Sequence, residues 1–196
     1  MHPAILCAAQ KCGVTKVFKA GGSQAIAALA YGTQRIPRVD KIFGPGNPWV
    51  TAAKLLDSLS GTAIDMPAGP SEVMVVADQK APAAFVAADL LSQAEHGIDS
   101  QVVLLTDSVD LFDEVQQEIP RQLEQLPRKE IAQKALENAA MILCESSQFT
   151  EIINEYAPEH LILAVEFPED LAVEVVNAGS VFMGYYTPES AGDYAS

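Results

Sequence analysis

Two strand-turn-helix units follow one another in the first 65 residues, and they constrain this chain more than any other feature. Lys16-Val-Phe-Lys-Ala20 reads as a short buried strand, Gly21-Gly-Ser23 as a turn, and the alanine-rich run from Gln24 to Tyr31 as a helix closed by Gly32. The pattern repeats with Lys41-Ile-Phe43 as a strand and Gly44-Pro-Gly-Asn-Pro48 as a rigid turn. Asn47 caps the next helix there, with Pro48 in its first position. That helix runs to about Leu59, Gly61 ends it, and Ala63-Ile-Asp65 is the next strand. Two such units joined by short glycine turns imply a parallel sheet, with ligand groups at the carboxyl ends of its strands. Gln24 and Asn47 hold equivalent places in the two turns. The full GxGxxG pattern is absent, so a cofactor edge and a plain turn capped by Ser23 explain Gly21-Gly-Ser equally well.

The same alternation continues. Met66-Pro-Ala-Gly-Pro-Ser-Glu72, with two prolines and a glycine, marks a boundary between lobes. Buried strands are read at Val73–Ala77, Gln101–Thr106, Met141–Cys144, Leu161–Ala164 and Ser180–Met183. Helices are expected over 81–92, then from Ser108 or Asp110 onward with a kink or break at Pro120, over 128–140, from Ser147 to Tyr156, and over 168–178.

Charge and composition narrow the function classes. The net charge is −14, but residues 1–50 carry six Lys/Arg against Asp40 alone, and the remainder six against 25 acidic residues. The acidic bulk argues against nucleic acid, whereas the basic first quarter suits a phosphate-bearing small ligand or a plain basic face. No apolar run approaches the ~20 residues that span a bilayer, and Met1-His-Pro-Ala lacks the layout of a signal peptide, so the cytoplasm is the default location. Cys7, Cys12 and Cys144 lack CxxC spacing and read as reduced, buried thiols without chemistry.

Three stretches concentrate polar side chains. In Leu91-Ser-Gln-Ala-Glu-His-Gly97, Gln93 and His96 lie three apart at the end of a helix, on one face. An amide oxygen and an imidazole could hold a divalent metal or a polar substrate; the plainer alternative is a solvated Gln93 and a His96 that complements the helix dipole. In Ala157-Pro-Glu-His-Leu161, Pro158 imposes an extended approach, and Glu159 and His160, as neighbours in extended backbone, are expected to serve different partners. His160 is a candidate general base; a strand-edge pair satisfied by backbone is the alternative. The closing stretch from Gly184 to Ser196 is a polar loop after a strand, with Asp193 as a hard ligand. Ser71 is a hydrogen-bonding group at the lobe boundary and a poor nucleophile, because no GxSxG elbow surrounds it.

The ordered set Gly44-Pro-Gly-Asn47, Asp65-Met-Pro-Ala-Gly-Pro-Ser-Glu72, Ser92-Gln-Ala-Glu-His-Gly97, Pro158-Glu-His-Leu161 and Pro188-Glu-Ser-Ala-Gly-Asp-Tyr-Ala195 closely resembles histidinol dehydrogenase over the whole chain. The resemblance implies an α/β fold of Rossmann-like, three-layer parallel-sheet lobes in two incomplete domains. Residues 1–70 would be part of an NAD-binding domain and 71–196 part of a zinc- and substrate-binding one. It further implies a cytoplasmic, homodimeric zinc enzyme whose subunits exchange segments. Such an enzyme oxidises L-histidinol to L-histidine via L-histidinaldehyde with two NAD, the last two steps of histidine biosynthesis. By position, Gln93, His96 and Asp193 match zinc ligands, and Ser71, Gln93, His96, His160 and Asp193 match substrate contacts. Gln24 and Asn47 match NAD contacts, and Glu159 and His160 the proton-transfer pair.

Members of that family are longer at both ends and take a further zinc-binding histidine from the partner subunit. Little or no dehydrogenase activity and weak zinc affinity are therefore expected of this polypeptide alone. Two other readings compete: a catalytically dead α/β fragment or binding module that keeps some ligand contacts, and a zinc hydrolase built on Gln93, His96 and Asp193. The hydrolase leaves Ser71 and the glycine turns unexplained.

Overall fold

Alternation along three central strands decides the architecture of the larger part of the chain. The computed structural model describes residues 2–44, 46–65 and 71–189. The chain packs as two units, residues 1–69 and 70–196.

In the second unit, β3 (Glu72–Ala77), β4 (Gln101–Thr106), β5 (Ala140–Leu143), β6 (His160–Ala164) and β7 (Ser180–Met183) form one parallel sheet in the order β5-β4-β3-β6-β7. Val73, Val75, Val102, Leu104, Ile162 and Ala164 pack on one face with α4 (Ala83–Ala94), α5 (Val109–Leu123) and α6 (Lys129–Leu136). Met74, Val76, Val103, Leu105, Leu161 and Leu163 pack on the other with α7 (Phe149–Tyr156) and α8 (Pro168–Ala172). Successive side chains point to opposite faces, so a strand covered on both sides must be apolar at every position. This is why these strands read as continuous apolar runs. The expected three-layer α/β arrangement is present here, and its strand order is that of the Rossmann sheet without its sixth strand.

The first unit is smaller. α1 (Pro3–Lys11), α2 (Ser23–Tyr31) and α3 (Pro48–Ser58) accompany a parallel pair, β1 (Lys41–Ile42) and β2 (Ala63–Ile64). Its core is Ile26, Ala30 and Ile42, with Leu29, Val39, Val50 and Ala53 against them.

Several expectations fail for identifiable reasons. Lys16–Ala20 is not a strand and is exposed throughout. It pairs with no strand among the described residues, and an extended segment without a ladder partner has nothing to hold it in a sheet. Cys7 and Cys12 are exposed rather than buried. Ser23 does not cap α2; the capping position is Gly22, and no side chain bonds there. Pro120 lies inside α5 without ending it. It falls in the last helical turn, where only one ladder bond is lost and few residues follow. The helix expected over 168–178 is limited to α8.

Candidate functional site

The candidate catalytic pair stands at the amino edge of the second sheet. Ala157, which ends α7, takes the left-handed conformation (φ 56°, ψ 59°) instead of the extended one that Pro158 was expected to impose. The chain then reverses into β6, which begins at His160 itself, opposite Val73 of β3. Glu159 therefore precedes the pleat, and strand alternation does not govern it. Contrary to expectation, Glu159 and His160 share a neighbour. Glu159 Oε2 accepts from the Glu72 amide at 3.2 Å, and His160 Nδ1 lies 3.3 Å from the Glu72 carbonyl oxygen. The two side chains come within 3.9 Å of each other. With Nδ1 donating to that carbonyl, Nε2 keeps the lone pair and is the atom able to take a proton.

Gly179 makes this packing feasible. A Cβ there would sit 2.5 Å from the Glu159 carbonyl oxygen. The Gly179 and Ser180 amides donate to the carbonyls of Pro158 and Glu159 at 3.0 and 2.8 Å, which joins the start of β7 to the turn before β6.

Gln93 is the second element of the site. Sequence reasoning allowed a solvated Gln93, but its side chain is only 1% exposed. With its amide nitrogen facing Glu189, it donates to Oε1 at 2.8 Å and Oε2 at 3.2 Å, while its oxygen accepts from the Glu72 amide at 3.3 Å. The backbone of Glu72 thus meets Gln93 and Glu159 through its N–H and His160 through its carbonyl. Its own carboxyl is raised above the ordinary range by burial and by the nearby Glu159 carboxylate.

His96 does not join the cluster. It lies exposed past the end of α4, and no hydrogen bond links it to Gln93 through its side chain; Arg128 Nη2 donates to its carbonyl at 3.3 Å. The shared face inferred from three-residue spacing assumed a continuing helix, whereas α4 stops at Ala94. Ser71 stands half-buried immediately before β3, with its carbonyl accepting from the Gln101 amide at 3.0 Å. Asp193 lies outside the described residues.

Sequence reasoning missed Glu189, Ser92 and Asp89. Glu189 takes a hydrogen bond from Ser92 Oγ at 3.0 Å and approaches His160 Nδ1 at 3.7 Å. Asp89, on the same helix as Ser92, has its carboxyl pushed up to about 7 by burial and by the Glu189 charge. The signal for Glu189 was its place in Pro188-Glu-Ser-Ala-Gly-Asp, but nothing local distinguishes that carboxylate from a solvated one.

The two turn residues of the first unit have different surroundings. Asn47 Oδ1 accepts from the Val50 amide at 3.1 Å, capping α3 as expected. The turn before it is pinned by buried Lys54, which donates to the Gly44 carbonyl at 2.8 Å and pairs with Asp65. Asp65 in turn accepts from the Gly44 amide at 2.7 Å, and Lys54 first and Gly44 second hold its carboxyl below the usual range. Gln24 lies in the first turn of α2, its side chain folded back toward Gly22.

At the carboxyl edge of the second sheet, the pocket beside β3 and β6 does not suit a phosphate. The sheet's strand order reverses between β3 and β6, the usual place for a dinucleotide crevice. A 480 Å³ pocket there is lined by Asp78, Asp107, Glu166, Asp170 and Glu174, the wrong sign for a pyrophosphate.

Comparison with known proteins identifies the family. The family model for histidinol dehydrogenase matches residues 1–196. The chain belongs to the histidinol dehydrogenase family. It is 63% identical to the histidinol dehydrogenase of Bacteroides thetaiotaomicron over 197 residues, covering 100% of this chain and 46% of that protein. To the Escherichia coli K12 enzyme it is 56% identical, over 98% of this chain and 45% of the relative. The crystal structure of histidinol dehydrogenase from Elizabethkingia anophelis superposes with a TM-score of 0.94 at 54% identity, over 99% of this chain and 45% of that one. A gamma-glutamyl phosphate reductase from Thermotoga maritima, 11% identical with a TM-score of 0.51, shares the fold alone. The chain thus spans about half the length of the histidinol dehydrogenases it matches.

The zinc that the sequence resemblance to histidinol dehydrogenase implies finds donors of the right kind in Gln93 and His96. They do not suffice in number. Among the described residues, no group of three or more His, Cys, Asp or Glu could hold a metal.

Proposed function

We infer that this chain is the part of a histidinol dehydrogenase that carries its proton-transfer pair. The whole enzyme would oxidise L-histidinol to L-histidine through L-histidinaldehyde with two NAD. Family membership supports the reaction, and one observation carries the assignment of roles: His160, Glu159 and buried Gln93 all meet the backbone of Glu72. In this reading His160 Nε2 takes the proton of the substrate hydroxyl in each oxidation, while the Glu72 carbonyl holds the ring in the required tautomer. Glu159 then takes a proton from the water that hydrates the aldehyde. When bound, NAD supplies the hydride acceptor and zinc a Lewis acid that orients the amino alcohol.

Gln93, His96 and Asp193 are the proposed zinc donors, with Ser71, Gln93, His96, His160 and Asp193 around the substrate. Gln24 and Asn47 are proposed to contact NAD, which makes residues 1–70 part of the NAD-binding domain and 71–196 part of the zinc and substrate domain. A homodimer with exchanged segments and a cytoplasmic location complete the reading. No helix among the described residues is long and apolar enough to cross a membrane.

The test is calorimetric titration of the metal-free chain with zinc, with and without L-histidinol, beside a His96→Ala variant. Zinc binding that histidinol strengthens and the substitution abolishes supports the site. Binding indifferent to both removes His96 from it. In a dehydrogenase assay on a full-length family member carrying this segment, His160→Asn is expected to lower turnover roughly 100- to 10,000-fold. Unchanged turnover would remove the proton-transfer role.

A further inference from the structure

Glu189 is a carboxylate in an unusual position. Its side chain is 14% exposed, and among the described residues no lysine or arginine pairs with it; the His160 imidazole Nδ1 lies 3.7 Å away. A carboxylate withdrawn from water without a cation must be held by hydrogen-bond donors. Two are in reach: the Gln93 amide nitrogen, at 2.8 and 3.2 Å from the two carboxylate oxygens, and Ser92 Oγ at 3.0 Å, whose single proton is shared with the Asp89 carbonyl at 2.7 Å.

The consequence falls on Gln93. A glutamine side chain offers a donor at one end and an acceptor at the other, and rotation about its last bond exchanges them. An ionised carboxylate only accepts, so it selects the nitrogen. The oxygen is then turned toward the Glu72 amide, where Glu159 also bonds and beside which His160 stands. Only that oxygen can serve as a metal ligand or accept from a substrate ammonium.

We propose that Glu189 is a positioning residue that holds the Gln93 amide by its nitrogen, so that its oxygen faces the Glu159–His160 side of the site. This rests on the reading of Gln93 as a ligand-bearing side chain given above. Glu189 itself touches neither metal nor substrate in this role. Its place in the chain, 96 residues after Gln93, means that the loop after β7 must be seated before the ligand on α4 is oriented.

Side-chain amide NMR of the full chain tests the proposal independently of catalysis. The Gln93 side-chain amide, assigned by its loss in Gln93→Met, should be a single exchange-protected pair displaced from the solvated glutamines. In Glu189→Ala it should move to the solvated position and exchange freely. Glu189→Gln, which keeps the shape and removes the charge, should weaken the protection and serves as the test if Glu189→Ala does not fold. Where zinc binds the unmodified chain, both variants should bind it roughly 10- to 100-fold more weakly. An unchanged Gln93 amide pair in a folded variant overturns the proposal, as does an unchanged zinc affinity. If the amide signature follows Glu189 but the unmodified chain takes up no zinc, the positioning stands and the metal reading of Gln93 fails.

Discussion

The two ends of the second sheet are both rich in carboxylates but are built differently. At the carboxyl edge, Asp78 is saturated: it accepts from the Lys80 amide at 2.9 Å, the Glu166 amide at 2.7 Å and the Tyr185 hydroxyl at 3.0 and 3.1 Å. Burial and that hydrogen bond push the Tyr185 phenol up to about 12, so it remains a donor across the working pH range. At the amino edge, Glu72, Glu159 and Glu189 share a few neutral donors and one imidazole, Asp89 lies near the Glu189 charge, and the Glu72 and Asp89 carboxyls are shifted upward. A carboxylate whose lone pairs are filled by the fold joins elements together. A surplus of acceptors without cations costs stability and persists where charge or a proton is to be handled.

The largest expected effect tests the carboxyl edge. Asp78→Ala should cost roughly 2–4 kcal/mol, since it removes the charged acceptor shared by two backbone amides and a half-buried phenol. His160→Asn should change stability by less than about 1 kcal/mol. Chemical denaturation of both variants checks the contrast, and equal losses would break it. Next comes Gly179→Ala, where the added methyl meets the Glu159 carbonyl oxygen. A loss of roughly 1–3 kcal/mol is expected, together with displaced Glu159 and His160 amide resonances. Resonances left in place would show that β7 does not hold the Pro158–Glu159 turn.

A smaller effect concerns pH. Asp89 keeps its proton in the native state up to about 7, whereas the unfolded chain releases it near 3.8. Its contribution is therefore fully present below the lower value and is lost as pH rises through the upper one. With allowance for partial exposure, the difference between unmodified chain and Asp89→Asn should change by about 1–2 kcal/mol between pH 4 and 7.5. Urea midpoints across that range measure it, and a flat difference would show that Asp89 titrates normally. Smallest is Ala157→Gly, expected to gain up to about 1 kcal/mol because glycine accepts the left-handed backbone without penalty. A loss in melting temperature would place the strain elsewhere.

Legibility followed the range of the forces involved. β4 and β7 were read with their observed ends, and β3 and β6 to within a residue, because burial on both faces leaves an uninterrupted apolar signature. The capping role of Asn47 was equally legible, since a side chain bonding an amide three residues on is a local event. Lys16–Ala20 has the same apolar look but no partner strand, and pairing is decided by what lies beside a segment. Gln93 shows the same limit: its spacing from His96 suggested a shared face, yet one is buried and the other exposed.

By itself, then, the sequence determined the α/β class, the positions of the central strands and, by resemblance, the histidinol dehydrogenase family. Only the tertiary structure decided that Glu159, His160 and Gln93 converge on the backbone of Glu72, with Glu189 behind Gln93. Local pattern records which residues seek burial or a cap. Which of them meet depends on strand order and on a loop returning nearly a hundred residues later, and on whether each buried polar atom finds its partner there.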